Sequence, residues 1–404
     1  MARVRRLPVL VLALAASLPL AGAAEARPAG LTGRLAQALA VPHLDHSREG
    51  VLAVDLDTGL VVFARNADRA LAPASTEKVP ITYAALVAFG PAYRIRTAVY
   101  GAGEQVGSTW VGSLVLKGFG DPTLSTADLH VLAGRVRAAG IRRVTGGILT
   151  DETFFDARRT GPGWKPSFFI TESPPLSALV ADRARSEGRI AYDPALSAGR
   201  VFRRALVAQG VAVPARVARG RAPEKAALAA VLSPPLSALV REVNTESDNF
   251  TAEVILKLLG TLAQLPGTTA SGADVVKEIL ESSAVPVEGM ALADGSGLSS
   301  LDRISARTLV GILEAAWLNP DVRAAFVASL AVAGRTGTLE ERMRGGPAWG
   351  SVLAKTGTTR DSSSLAGYVG NRYVFAVLHN GSPVATSWAR KAQDRFAVAL
   401  ARSQ

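Results

Sequence analysis

The feature that most constrains this chain is the segment PASTEK at residues 73–78, which stands between a strand-like stretch and an apolar run over residues 79–89. A helix that begins at or just before Ser75 places Ser75 and Lys78 at positions i and i+3, on one face and within hydrogen-bond reach. A serine hydroxyl needs a base to become a nucleophile, and a lysine amine is a base once burial or a nearby cation lowers its pKa. Backbone N–H groups at the helix N-terminus would stabilise an oxyanion beside that serine. Taken alone, the same spacing also fits an N-cap serine next to a solvated lysine.

Residues 1–23 have the pattern of a secretory signal peptide. Three arginines in the first six residues precede an uncharged apolar stretch over residues 7–20, and Ala21-Gly22-Ala23 supplies small residues at the cleavage position. We therefore expect a secreted, extracytoplasmic protein of the periplasm or cell wall space, with an uncleaved N-terminal anchor as the alternative. No later stretch has 18 or more apolar residues in a row, so the sequence predicts no transmembrane span in the mature chain.

The charge balance and two residue types narrow the chemistry. The formal net charge of +11 falls to +8 without the three leader arginines, which favours an anionic cell envelope over nucleic acid, or a basic surface with no specific partner. The chain has no cysteine, which excludes disulfides, thiolate metal sites and cysteine nucleophiles. Of its four histidines, His43 and His46 lie in a polar stretch without a third ligand in reach, so we expect no zinc site.

The order of strand-like and helical segments predicts an α/β protein with two parts. Two strands joined by Asp57-Thr58-Gly59, a hairpin signal, precede the PASTEK segment. Between residues 95 and 230, short strands alternate with amphipathic helices over 127–139 and 195–209, which suggests a small α/β module of its own. For the last part the pattern predicts strands over 289–292, 352–355, 366–369 and 373–379, and a closing helix over 388–400.

Two further polar motifs lie next to apolar segments. Residues 247–249, SDN, separate two apolar helices, where a hydroxyl and an amide would cap a helix, relay a proton or hold a substrate carbonyl. Residues 355–358, KTGT, end a strand, and their glycine leaves room for an extended peptide at the strand edge. Each motif alone is also typical of an ordinary helix cap or turn.

In this order, S-x-x-K at 75–78, SDN at 247–249 and KTG at 355–357 resemble the signature set of penicillin-binding proteins and serine β-lactamases. Within that superfamily the chain is most similar to the D-alanyl-D-alanine carboxypeptidase/endopeptidases, the class C low-molecular-mass penicillin-binding proteins. Further segments carry the resemblance over nearly the whole mature chain: GDPTL at 120–124, DGSGLS at 294–299 and GTL at 337–339.

The resemblance implies a fold and its division into domains. We expect an α/β fold of the α+β type, the penicillin-binding protein/serine β-lactamase-like transpeptidase fold, with an inserted smaller α/β domain. Residues 24–94 and 232–404 would form the catalytic domain, and residues 95–231 the inserted domain. The family usually nests a third domain in this insertion, but here only a short spacer separates residue 183 from the helix at 195. We therefore expect two domains instead of three.

The resemblance also assigns catalytic roles to the motifs. Ser75 would attack the carbonyl of the D-Ala-D-Ala bond of a peptidoglycan stem peptide, with neutral Lys78 as the general base. Ser247 and Lys355 would relay a proton to the departing amine, and Asn249 would orient the substrate amide.

The last motif would bind the substrate. The N–H groups of Ser75 and Thr358 would form an oxyanion hole, the hydroxyls of Thr356 and Thr358 would hold the terminal carboxylate, and Gly357 would let the strand edge approach closely. Water would then hydrolyse the acyl-enzyme without a metal or organic cofactor. β-Lactam antibiotics would acylate the same serine and leave slowly.

Two positions depart from the family pattern and leave the specificity for the third residue of the peptide open. Ser300 stands where the family often has an arginine, with Arg303 three residues on, and Thr359 stands at a commonly apolar position. Three alternatives stay open: a serine β-lactamase or S-x-x-K esterase, against which the large insertion argues, a catalytically silent wall- or penicillin-binding protein, and a Ser-His-Asp hydrolase that uses His379. The balance between carboxypeptidase and endopeptidase activity is open as well.

Overall fold

The computed structural model describes residues 29–186 and 189–404, so the predicted signal peptide lies outside the described residues. The helices are α1 (Ala29–Leu39), α2 (Lys78–Phe89), α3 (Thr126–Ala138), α4 (Pro194–Ala208), α5 (Leu236–Thr245), α6 (Asn249–Gly260), α7 (Thr269–Ser282), α8 (Ala306–Leu318), α9 (Pro320–Val327) and α10 (Thr386–Ala401). The strands are β1 (Glu49–Asp55), β2 (Val61–Arg65), β3 (Arg96–Val106), β4 (Thr109–Gly118), β5 (Arg143–Val144), β6 (Gly147–Asp151), β7 (Arg185–Ser186), β8 (Arg189–Ile190), β9 (Val217–Arg219), β10 (Ala229–Leu232), β11 (Ala331–Val332), β12 (Val352–Thr358), β13 (Ser362–Val369) and β14 (Tyr373–Asn380).

An antiparallel sheet with the strand order β11-β12-β13-β14-β1-β2 forms the first half of the architecture. Helices α1 and α10 cover one face and α8 lies against the other, so that β1 and β13 are buried along their whole length. The polar residues of these two strands lie at strand ends, Glu49 and Asp55 in β1 and Ser362 to Ser364 in β13, and the rest of each strand is apolar, as is typical of a sheet covered on both faces. The predicted hairpin is confirmed, since β1 and β2 pair antiparallel with Val54 opposite Val61.

Helix α2 lies at the centre of a helical layer on the α8 side of this sheet. Its residues from Lys78 to Leu86 are buried, because α5, α6, α7, α8 and α9 all pack against it. A helix that is apolar all round is typical of such a position. The helix begins later than predicted: residues 74–77 form a 3₁₀ turn, and the α-helix starts at Lys78. Residues three apart still share one side, because a 3₁₀ turn has three residues per turn.

A second sheet has the strand order β10-β3-β4-β6-β9, with β5 paired to β4. Strands β3 and β4 form a long antiparallel pair, whereas β4, β6 and β9 run parallel. Helices α3 and α4 follow β4 and β6 in the chain and pack on each other and on the sheet. The two sheets share no strand among the described residues. On this ground we propose the division into residues 24–94 with 232–404 and residues 95–231.

A connecting segment over residues 152–184 joins the second sheet to the helical layer. Phe155, Leu176 and Val180 are buried in the same core cluster as α2 and α6. Polar contacts add to this packing: Lys257 forms an ion pair with Asp156. This segment therefore reaches the region around α6, where the SDN motif lies.

The prediction of a strand over residues 289–292 is wrong. Only an isolated bridge between Ala291 and Arg303 forms there. The carboxylate of Asp302 accepts the N–H group of Ala293 at 2.7 Å and that of Asp294 at 3.3 Å, so the chain turns instead of extending. In the described part of the chain, none of the helices has the length and apolar character needed to cross a membrane.

Candidate active site

Ser75 lies on a tightly anchored 3₁₀ turn. The hydroxyl of Thr76 donates to the Pro73 carbonyl at 2.8 Å, and the Ser364 hydroxyl of β13 donates to the same carbonyl at 2.6 Å. Ala74 has a φ of 50°, a backbone conformation that costs free energy for a residue with a side chain. The turn is therefore held by the sheet in a geometry that it would not adopt alone.

The amine of Lys78 lies next to the Ser75 hydroxyl. Its Nζ atom is 2.9 Å from Ser75 Oγ and 2.8 Å from Asn249 Oδ1, and it also donates to the backbone carbonyl of Ser296. Burial lowers the pKa of Lys78 to about 8, against the opposing effect of nearby carboxylates. A lysine with this pKa exists partly as a neutral amine at neutral pH, which is the form that accepts a proton.

Ser247 and Lys355 form the second lysine–serine pair of the site. Lys355 Nζ donates to Ser247 Oγ at 2.9 Å and to its neighbouring Thr356 carbonyl at 2.9 Å. Burial is the main cause that holds the pKa of Lys355 well below its ordinary value, and the positive charge of Lys78 is the second cause. Ser247 has a φ of 64°, so a strained backbone aims its hydroxyl at the lysine.

The turn that carries Ser247 is fixed by Asp248 and Arg183. Asp248 caps α6 by accepting the Thr251 N–H at 2.7 Å, and Arg183 Nη1 forms an ion pair with the same carboxylate at 2.5 Å. This ion pair lowers the pKa of Asp248, with burial working in the opposite direction. Asn249 begins the helix and donates from Nδ2 to the Glu172 carbonyl of the connecting segment at 3.1 Å.

The edge of β12 approaches the Ser75 turn so closely that Gly357 has no room for a side chain. A Cβ atom at Gly357 would lie 2.2 Å from Ser364 Oγ, 2.6 Å from the Pro73 carbonyl oxygen and 3.0 Å from the Ser75 nitrogen. Thr356 Oγ1 donates to Thr338 Oγ1 at 2.8 Å. Thr358, which follows Gly357 on the strand, is therefore beside the Ser75 turn.

A backbone carbonyl and an aspartate that sequence reasoning missed complete the Lys78 environment. The carbonyl oxygen of Ser296 accepts a hydrogen bond from the Lys78 amine, and Asp294 organises the turn around this carbonyl. The Asp294 carboxylate accepts the N–H groups of Gly297 at 2.7 Å and Ser299 at 2.8 Å, and the indole N–H of Trp164 at 2.7 Å. The DGSGLS segment indicated this turn in the sequence. The contact of Lys78 with the Ser296 carbonyl was not predictable, because every residue has a backbone carbonyl.

Buried carboxyl groups lie behind Lys78. Glu253 Oε1 accepts the N–H groups of Gly295 and Ser296 at 2.9 Å each, which holds the turn that binds the lysine. Burial raises the pKa of Glu253, and burial with the neighbouring Asp302 carboxylate raises the pKa of Glu77 well above its usual range. Neither carboxyl oxygen of Glu77 has a hydrogen-bond partner among the described residues. A buried carboxyl without a partner is stable in its neutral form.

A cleft of about 670 Å³ opens beside Ala74 and Thr358. Its cationic side chains are Arg48, Arg69, Lys165, Arg303 and Arg360, and its acidic ones are Glu172 and Asp361. Cations thus outnumber carboxylates around the entrance to the Ser75 turn, which favours an anionic ligand.

His379 is not part of this constellation. It is buried in β14, where its Nδ1 lies 3.5 Å from Glu49 Oε2, and Glu49 also pairs with Arg65 at 2.6 Å. These contacts give His379 a structural position beside Glu49 in the sheet. Among residues 29–186 and 189–404, no group of three or more His, Asp and Glu side chains has the geometry to hold a metal ion.

The sequence matches the D-Ala-D-Ala carboxypeptidase 3 (S13) family over residues 31–192 and 181–403. It is 31% identical to a D-alanyl-D-alanine carboxypeptidase of Actinomadura sp. (strain R39), over 98% of this chain and 89% of that protein. It is 33% identical to carboxypeptidase Rv3627c of Mycobacterium tuberculosis, over 94% of this chain and 85% of that protein.

The fold is similar to that of penicillin binding protein 4 (dacB) from Haemophilus influenzae. The TM-score is 0.80 at 21% identity, with 92% of this chain and 98% of that chain covered. A second structure of that protein, complexed with a β-lactam, gives a TM-score of 0.73 at 23% identity over the same shares of the two chains. The expected penicillin-binding-protein fold of mixed α/β type is thereby confirmed.

Proposed function

Because the chain belongs to the D-Ala-D-Ala carboxypeptidase 3 (S13) family, we propose that it hydrolyses the D-Ala-D-Ala bond of peptidoglycan stem peptides through an acyl-enzyme on Ser75. The protein is a serine-type peptidase of the class C low-molecular-mass penicillin-binding proteins. The observation that carries the chemistry is the 2.9 Å contact between Lys78 Nζ and Ser75 Oγ, because it joins the nucleophile to a base of lowered pKa.

In the acylation step, neutral Lys78 takes the proton of Ser75 as the hydroxyl oxygen attacks the scissile carbonyl. The two buried lysines repel each other, so the pair favours one proton over two. A substrate carboxylate near Thr356 and Thr358 would attract the proton to Lys355 and leave Lys78 neutral. Substrate binding thus prepares the base for the reaction.

In the collapse step, the departing D-alanine amine receives a proton through Ser247. The Ser247 hydroxyl gives its proton to the amine and takes another from charged Lys355, which lies 2.9 Å away. Lys355 ends neutral and Lys78 charged, so the pair again holds one proton. Asn249, hydrogen-bonded to Lys78, orients the amide side of the substrate.

The oxyanion of the tetrahedral intermediate would be stabilised by the N–H groups of Ser75 and Thr358. The close approach at Gly357 supports this role, because it brings β12 to the Ser75 turn. Water then hydrolyses the ester to restore Ser75. A β-lactam would form the same ester and keep its leaving amine attached, which slows release.

The cationic cleft supports an anionic peptide as substrate. Ser300 lacks the charge of the arginine frequent in the family, but Arg303 lines the same cleft. Arg303, whose guanidinium also donates to the Ser300 and Asp302 carbonyls, would attract a carboxylate group of the bound peptide. The signal-peptide pattern supports an extracytoplasmic location, where that substrate lies.

The test combines labelling with a fluorescent penicillin and an assay of D-alanine release from a pentapeptide that ends in D-Ala-D-Ala. The wild-type protein should be labelled and should release D-alanine. The control variant Ser108→Ala, at an exposed serine in the β3–β4 turn, should do the same. Ser75→Ala should do neither. Labelling that survives in Ser75→Ala would refute the proposal. Ser75-dependent labelling without D-alanine release would favour a catalytically silent penicillin-binding protein. Rapid turnover of the penicillin would favour a β-lactamase.

A further inference from the structure

The positive charge of the chain is concentrated in one region. Residues 95–231 contain 19 Lys and Arg against 11 Asp and Glu, a net charge of +8. Residues 24–94 and 232–404 together contain 23 Lys and Arg and 23 Asp and Glu, so this part of the chain is formally neutral. The catalytic chemistry lies in the neutral part, so it does not account for the basic character of the protein.

Within the basic region, four arginines surround one pocket. Arg200, Arg203 and Arg204 project from α4 at the i, i+3 and i+4 positions that share a helix face, and Arg216 precedes β9. The pocket has a volume of about 510 Å³, and Ala215 and Val217 complete its lining. No acidic side chain lines it.

Hydrogen bonds and close packing hold the frame of this pocket. Arg203 Nε donates to the Pro214 carbonyl at 2.8 Å, which fixes the guanidinium at the pocket wall. The carbonyl of Arg216 accepts the N–H of Ile148 in β6 at 3.1 Å. The opposite face of α4 packs on the sheet, where Gly199 leaves no room for a side chain against Thr150. The arginine backbones are therefore held in place without a ligand.

The charges in the pocket have no carboxylate partner among the described residues. The neighbouring Arg219 is different, because it pairs with Glu152 at 2.5 Å and with Asp193 at 2.6 Å. Arg200, Arg203, Arg204 and Arg216 form no salt bridge within residues 29–186 and 189–404. Like charges at these helix spacings repel each other, and a bound anion would relieve that repulsion.

We propose that this pocket binds phosphate groups carried on an anionic polymer. The planar guanidinium fork of arginine matches the oxygens of a phosphate and donates two parallel hydrogen bonds to it. A concave pocket can receive a phosphate group that projects from a polymer chain. A membrane surface is the less suitable partner, because the lining has no aromatic or leucine side chain to enter the lipid. Polymer binding by the second sheet would hold the catalytic cleft near its substrate without involving Ser75.

The experiment measures binding of long-chain polyphosphate and inorganic pyrophosphate to the purified protein by calorimetry in low salt. The test variant is Arg200→Gln/Arg204→Gln, and the control Arg143→Gln/Lys225→Gln removes the same charge at exposed residues outside the pocket. Wild type and the control should bind both probes, with polyphosphate the tighter. The test variant should bind at least about tenfold more weakly, because it loses two guanidinium forks.

Three results would overturn the proposal: no binding to wild type, equal weakening in both double variants, or binding to vesicles of phosphatidylglycerol without binding to polyphosphate. Fluorescent penicillin labelling of Ser75 should be unchanged in both double variants, which also shows that they are folded. A failure here would therefore leave the proposed peptidase function untouched.

Discussion

In the proposed mechanism, the protonation state of Lys78 decides whether Ser75 can react. Burial lowers its pKa to about 8, and the neutral form accumulates above that pH. The hydroxyl, the Asn249 amide oxygen and the Ser296 carbonyl around it are all uncharged acceptors. The site thus solvates the amine without a direct carboxylate partner that would fix its charge.

The rate of acylation by a penicillin should follow this titration. Below pH 8 the second-order rate constant should rise about tenfold per pH unit, and above it the profile should level off. Stopped-flow measurement with a chromogenic β-lactam between pH 6 and pH 9 gives this profile. A rate constant that is flat over the whole range would show that Lys78 is not the base.

Glu77 should affect stability more than catalysis. Its native pKa is raised well above the ordinary 4.5, so the native state keeps a proton that the unfolded chain releases, and stability falls as the pH rises from about 4.5 toward the native pKa. Glu77→Gln should flatten this decline by up to about 1.4 kcal/mol per pH unit. Urea unfolding between pH 5 and pH 7 measures it, with the exposed Glu281→Gln as control. An unchanged slope would mean that Glu77 is ionised in the native protein.

At the scale of the element, strand β12 and the start of α6 bring distant motifs to the Ser75 turn. The sequence indicated the motifs and their order, because their residue types are unusual beside apolar segments. It did not indicate the contacts of Ser296 and Glu172, which are made by backbone carbonyls, nor the 3₁₀ turn, which depends on anchoring by Ser364. Contacts of this kind arise from tertiary packing and leave no local pattern.

Gly357→Ala should separate β12 from the Ser75 turn. The new Cβ would lie 2.6 Å from the Pro73 carbonyl oxygen, so the strand or the turn must move. A shift of this size should reduce the acylation rate by about 100-fold. Gly33→Ala, at a helical glycine with nothing within 4 Å of the new Cβ, should retain wild-type acylation. If both variants react at the wild-type rate, the close approach has no catalytic role.

The N-cap of α6 should contribute to catalysis as well as to stability. Asp248 and Asp193 each cap a helix and each pair with an arginine, Arg183 and Arg219 respectively. Replacement of either by alanine should cost about 1 kcal/mol of unfolding free energy. Only Asp248→Ala should slow acylation, because Ser247 and Asn249 flank it. Equal rates in the two variants would contradict the proposed role of the SDN turn.

Across the whole molecule, the residues that meet at the Ser75 turn come from chain segments more than 100 positions apart, and the two six-stranded sheets share no strand among the described residues. The fold class was predictable because three motifs in a fixed order resemble one superfamily. The sequence did not predict the strand order of the second sheet or the route of residues 152–184 to the site. Both depend on long-range packing, such as that of Phe155 in the main core. The domain boundaries and the roles of the site residues stay predictions.

The most direct test of the central claim is to trap the acyl-enzyme formed from a peptide substrate. The protein is mixed with a pentapeptide that ends in D-Ala-D-Ala, quenched in acid and mapped by mass spectrometry of its proteolytic fragments. The fragment with Ser75 should gain the mass of the peptide without its last D-alanine, and Lys78→Met should abolish this adduct. D-alanine release with an unmodified Ser75 fragment at all quench times, or an adduct on another residue, would show that Ser75 is not the nucleophile.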